Sequence, residues 1–130
     1  MRRSVSSFVL VVGLAAAACQ GSGPTGATGE LVDSWKKSGL TPTAFVAVDG
    51  KAIGAESCQA GKVSGVDITV CDYPDPDSAR RAEAAGLAQV GDATGASLAH
   101  GRQLLVLADR GKTDANGKTI KQIASAFRNR

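Results

Sequence analysis

Apolar and polar residues alternate most cleanly between Val66 and Tyr73, where Val66, Ile68 and Val70 interleave with Asp67, Thr69 and Cys71. A period of two predicts a strand with one apolar face. Ser64-Gly65 just before it suits a two-residue hairpin turn. Folding back on that turn sets Val63 against Val66, Lys62 against Asp67 and Cys58 against Cys71. One register thus yields a hydrophobic pair, an opposite-charge pair and a cysteine pair. Counted outward from the turn, the cysteines occupy a non-hydrogen-bonded pair, where Cα atoms approach to about 4.5 Å. That is near the short end of the ~4.4–6.8 Å a disulfide spans.

Other segments follow the same logic. Leu31, Val32 and Trp35 share one helical face, Thr28 is placed to cap it, and Gly39-Leu40 reads as a Schellman stop. Residues 43–48 are β-prone, and Asp49-Gly50 predicts a tight hairpin that pairs Val48 with Lys51, Val46 with Ile53 and Phe45 with Gly54. Asp75, Pro76 and Asp77 form a helix start ahead of an Ala-rich helix ending near Val90-Gly91. Ser97 to His100 and Gln103 to Leu107 predict a second hairpin around Gly101-Arg102. Ile120, Ile123, Ala124 and Phe127 line a final helix with Lys118, Lys121 and Arg128 on its wet side, opened by an Asn-Gly turn and a Thr119/Gln122 capping box.

The order α-β-β-β-α-β-β-α predicts one small α+β domain: an antiparallel sheet of about five strands with helices packed on it. The second face of that sheet, carrying Lys62, Asp67, Thr69 and the cysteine pair, is expected to be wet or to meet a partner.

The N-terminus has a different grammar. Met1-Arg2-Arg3 precede a Ser-rich step, the apolar run from Phe8 to Ala18, and Cys19. Charged, apolar and small-residue regions in that order predict an export signal. The run falls well short of the roughly 20 residues needed to span a bilayer. The small residues leading into Cys19 resemble the lipobox of bacterial lipoproteins, and the resemblance covers the leader alone. It implies cleavage after residue 18, lipidation of Cys19 and a membrane anchor, on the periplasmic face of the outer membrane in a Gram-negative host. Ala16 to Ala18 also fit an ordinary Ala-x-Ala cleavage site, which would release a soluble secreted protein. Parity separates the two: three cysteines leave an odd thiol in an exported protein, whereas lipidating Cys19 leaves Cys58 and Cys71 as an even pair. The expected organisation is residues 1–18 signal, 19–29 lipidated Cys and Gly/Ser/Thr tether, and 30–130 globular domain.

Composition narrows the function classes. The 130 residues are 43% hydrophobic and 21% charged, with a net charge of +3, of which Arg2 and Arg3 belong to the leader. A near-neutral mature domain has no electrostatic footprint for nucleic acid. The Cys pair reads as a structural staple, with a redox role as the competitor: it lacks the C-x-x-C spacing at a helix N-terminus that activates a thiol. His100, the only histidine, could serve as a general base, but no spacing brings Ser, His and Asp together. Asp72, Asp75 and Asp77 could hold a hard cation, but no loop of regular ligand spacing surrounds them and the helix start accounts for Asp75 and Asp77. The loop from Gly111 to Thr119 misses the P-loop spacing by one residue, and as a Ca²⁺ loop it places Asp114 and Asn116 suitably but has Lys112 and Ile123 where the first and last carboxylates belong. No cofactor is implied. The expectation is a tethered envelope lipoprotein that binds another envelope protein or peptidoglycan without catalysis, the alternative being a thiol-redox or hydrolytic accessory using Cys58/Cys71 or His100.

Overall fold

The computed structural model describes residues 26–130, so the leader and Cys19 lie outside the described residues. Helix α1 (Gly26–Lys37) buries Thr28, Leu31, Val32 and Trp35, a single stripe at helical spacing. It begins at Gly26 rather than near Glu30, and Thr28 is packed inside it rather than capping it, so part of the expected tether belongs to the fold. Its end is the predicted Schellman stop: Gly39 has φ +82°, Leu40 N–H donates to the Trp35 carbonyl at 3.0 Å, and Gly39 N–H donates to that of Lys36.

The sheet has the order β1-β2-β3-β5-β4, antiparallel throughout, from β1 (Val46–Val48), β2 (Ser57–Val63), β3 (Val66–Asp72), β4 (Thr94–His100) and β5 (Gln103–Asp109). The α+β class, the single antiparallel sheet and the five strands are as the periodicity predicts. In the β2–β3 hairpin Ser64 (φ +49°) and Gly65 (φ +87°) make the turn, and Lys62 pairs with Asp67 and Cys58 with Cys71.

The Asp49-Gly50 expectation fails. Gly50 has φ −102°, Lys51–Ile53 form a single 3₁₀ turn, and Val46 pairs with Ala60 rather than Ile53. Asp49 Oδ1 accepts from Lys51 N–H at 2.9 Å, a local turn that competes with the hairpin. Phe45 does cover a strand glycine, but it is Gly61: a Cβ there would stand 2.7 Å from the Phe45 ring.

Helices cover both faces of the sheet. On one face Leu31, Trp35, Ile123 and Phe127 from α1 and α4 (Lys118–Arg128) meet Val66, Ile68, Val70, Leu105 and Leu107. Trp35 Nε1 donates to the Ile123 carbonyl at 3.2 Å, joining the two helices. On the other, α2 (Pro76–Arg81) and α3 (Glu83–Val90), separated only by Ala82, set Ala79, Ala82 and Val90 against Cys71, Leu104, Val106 and Ala108. Asp75 caps α2 by accepting from Ser78 N–H at 2.7 Å. The second face is therefore not wholly wet: small side chains let this helix settle close, and a Cβ on Gly86 would reach 2.4 Å from Ser97 Oγ.

Gly61→Ala forces its methyl into Phe45, an overpacking that should cost about 1–3 kcal/mol. Urea unfolding measures it, and Phe45→Leu in the same chain should recover part of the loss because the two sites share one contact.

Candidate functional site

The second sheet face divides in two. Its covered half holds the disulfide: Cys58 and Cys71 are bonded with Cα atoms 4.1 Å apart, and both are almost fully buried. The 49–55 loop seals them. A Cβ on Gly50 would lie 2.5 Å from Cys58 Sγ and 2.9 Å from the Ala55 Cβ, so glycine is required there for space rather than for a positive φ. Tyr73 holds the loop down, its hydroxyl donating to the Ile53 carbonyl at 2.8 Å. Burial pushes the Tyr73 phenol above its ordinary pKa, keeping it a neutral donor.

The open half lies towards edge strand β1. Val46 and Val48 are 52% and 39% exposed, side by side with the half-buried Ala60 and near Thr69 on the same face. A charged border runs beside them: Asp67 stands 3.4 Å from Lys62 Nζ and 3.5 Å from Arg110 Nη1. Arg110 Nη2 also donates to the Gln89 carbonyl in the last turn of α3 at 2.8 Å, where a cation complements the helix dipole. These exposed ion pairs are worth a few tenths of a kcal/mol to about 1 each. They position side chains more than they stabilise the fold.

His100 lies far from this patch in character. It ends β4 on the opposite face, opposed to Gln103, with its ring edge-on to Phe127 at a centroid distance of 5.8 Å. The structure thus does not bring the imidazole to the disulfide. Each of the three clustered carboxylates has its own partner: Asp72 accepts from Ser57 and Gln103, Asp75 caps α2, and Asp77 pairs with Arg80. Among the described residues, no group of His, Cys, Asp or Glu is placed to hold a metal ion, and no helix is long and apolar enough to cross a membrane.

Sequence reasoning missed Asp109 and Asp114. Asp109 is buried and accepts from Thr113 N–H, Thr113 Oγ1 and Asp114 N–H at 2.9–3.1 Å. Asp114 accepts from Thr119 and Ile120 N–H at 3.0 and 2.9 Å. Asp114 therefore caps α4, replacing the expected Thr119/Gln122 box. The available signal was an Asp a few residues ahead of an amphipathic run. Together the two carboxylates build one wall of a cleft of about 680 Å³, bordered by Val90, Asp92, Thr94 and Lys112.

Compared with known families, curated proteins and solved structures, the chain shows no match.

Gly50→Ala pushes a methyl into Cys58 Sγ and should lower the melting temperature measurably, whereas Gly54→Ala tests only the φ +68° of an open position. Backbone N–H groups of Asp114 and Thr113 hold the Asp109 carboxyl below its ordinary pKa of 3.8. A lowered folded pKa means that its stabilisation is complete at neutral pH and is lost as pH falls below about 4 through the folded value. Acid titration of unfolding should show this step in the wild type and a smaller one in Asp109→Asn.

Proposed function

We propose that this chain is an exported envelope lipoprotein, tethered through Cys19, that works by binding rather than catalysis through the open half of its second sheet face. The observation that carries the reading is the sequestered Cys58–Cys71 disulfide. A disulfide between strands needs an oxidising compartment, which agrees with the export leader. With Gly50 against one sulfur and Tyr73 pinning the loop over it, neither sulfur is presented to a thiol substrate. The bond therefore serves as a staple, worth about 2–3 kcal/mol for a loop of this length.

Binding fits the open half for a second reason. Val46 and Val48 are among the few large apolar side chains left exposed, and a charged border lies on the neighbouring strands β2 and β3. A small apolar centre with a polar rim is how protein interfaces are built. The partner class is another envelope protein or peptidoglycan; the lipid anchor supplies the membrane contact.

Intact mass of the protein from host membranes, with thiol alkylation before and after mild reductant, tests the anchor and the staple. The expected result is an acylated Cys19 and cysteines that resist alkylation until the fold is denatured. An unacylated mass would remove the tether, and a disulfide opened by mild reductant in the native fold would replace the staple with redox chemistry. A photo-crosslinker at Val48 in living cells should give one discrete adduct that is absent with the probe at exposed Lys121. Absence at both positions overturns the sheet-face reading.

A further inference from the structure

The two edges of the sheet are unlike. Strand β1 is short, but β4 runs for seven residues, Thr-Gly-Ala-Ser-Leu-Ala-His, at the other edge. Proteins blunt such edges with Lys, Pro or a bulge. β4 has none of these: it carries no Lys or Pro and pairs with β5 without interruption from Thr94 to His100.

Hydrogen-bond parity decides which groups of β4 face outward. In a two-residue hairpin the pair flanking the turn, His100 with Gln103, is hydrogen-bonded, and alternate pairs follow. Leu98 and Ala96 therefore bond inward to β5. The N–H and C=O groups of Gly95, Ser97 and Ala99 point away from the sheet, with no backbone or side-chain partner among the described residues.

We propose that a second copy of this chain pairs with β4 along this edge, antiparallel about a two-fold axis at Ser97. In that register Ser97 exchanges both bonds with its symmetry mate, and Gly95 exchanges both with Ala99 of the other copy. Every outward group of these three residues finds a partner. The side chains agree with the register: Ala96 falls beside Leu98, Thr94 beside His100, and no like charges are set opposite one another.

Two independent observations fall at the same axis. Ser97 Oγ is enclosed and has no hydrogen-bond partner within the chain. A hydrogen-bonded cross-strand pair brings Cα atoms to about 5.5 Å, so a rotation about χ1 that turns each Oγ out from beneath Gly86 brings the two hydroxyls together to satisfy each other. The second is Leu87, 55% exposed on α3. Ala79, Ala82, Gly86 and Val90 face the sheet and Ala85 packs against the same inner cluster, so Leu87, about 200° round the helix from Ala85, is on its outer flank. Gly86 sits above both Ser97 and Val106, between β4 and β5, so the two copies of α3 come side by side across the axis and Leu87 of each faces Leu87 of the other. The strand edge supplies direction and register, and the leucine pair supplies apolar burial.

Sedimentation velocity of the full chain across a concentration series tests this, alongside Leu87→Glu, Leu87→Lys and Ala99→Pro variants. Leu87 is exposed, so charging it leaves the fold intact, which circular dichroism and the melting temperature check. The wild type should sediment as a dimer. Leu87→Glu and Leu87→Lys should each weaken it tenfold or more, and an equimolar mixture of the two should restore it through opposite charges. Ala99→Pro removes an outward N–H and should also weaken it. A wild type that stays monomeric throughout, or a dimer indifferent to all three substitutions, overturns the proposal. So does a mixture that associates no better than its components, or protection of the Gly95, Ser97 and Ala99 amides from exchange in the monomer, since the edge would then be covered from within.

Discussion

The register of the β2–β3 hairpin is the constraint on which the rest of the sheet depends. A shift of one residue would send every side chain of β3 to the opposite face. Three devices forbid it: the positive φ angles of Ser64 and Gly65, the opposition of Lys62 and Asp67, and the bond between Cys58 and Cys71. With β3 held, Val66, Ile68 and Val70 present an uninterrupted apolar row to α1 and α4, and Cys71 turns towards the α2–α3 layer. β5 then docks on β3 with Ile68 opposite Leu107 and Val70 opposite Leu105.

Space is managed as tightly as polarity. Glycines 50, 61 and 86 each stand where a methyl group would strike a neighbour: a sulfur, an aromatic ring and a hydroxyl. The first lets a loop close over the disulfide, the second lets Phe45 lie across β2 and reach Trp35 at a centroid distance of 6.0 Å, and the third brings α3 down onto the sheet. Close packing of this kind makes interiors sensitive to a single added carbon. The open half of the second face lacks such coverings, which is why it can meet other molecules.

Much of this was legible in the residues. Strict alternation in β3, the Ser-Gly turn and the Asp75-Pro76 helix start are local signals, and their elements formed where local chemistry put them. What failed depended on distant partners. Asp49-Gly50 carries a strong hairpin signature, yet its glycine answers to the sulfur of Cys58, further along the chain. The wet second face was inferred from β3, which alternates. The run Leu104-Leu105-Val106-Leu107 does not alternate, and a strand apolar on both sides needs a layer on each. The capping of α4 by Asp114 was obscured by the intervening Asn-Gly turn, which offers a nearer start. Cys19 lies outside the described residues, so the proposed anchor rests on the order of charged, apolar and small residues in the leader.

The seam between β3 and β5 gives this chain its folding kinetics. Each hairpin joins neighbours through a two-residue turn and can form within about 1–10 μs. Joining β3 to β5 requires closing the whole segment from Asp72 to Gln103, including a helical layer, before any of its contacts repays the lost chain entropy. Closing that segment, rather than forming either hairpin, should therefore limit the rate of folding. Until it happens, the apolar rows of β3 and β5 are exposed to neighbouring chains, and the newly made protein is most open to aggregation during that interval.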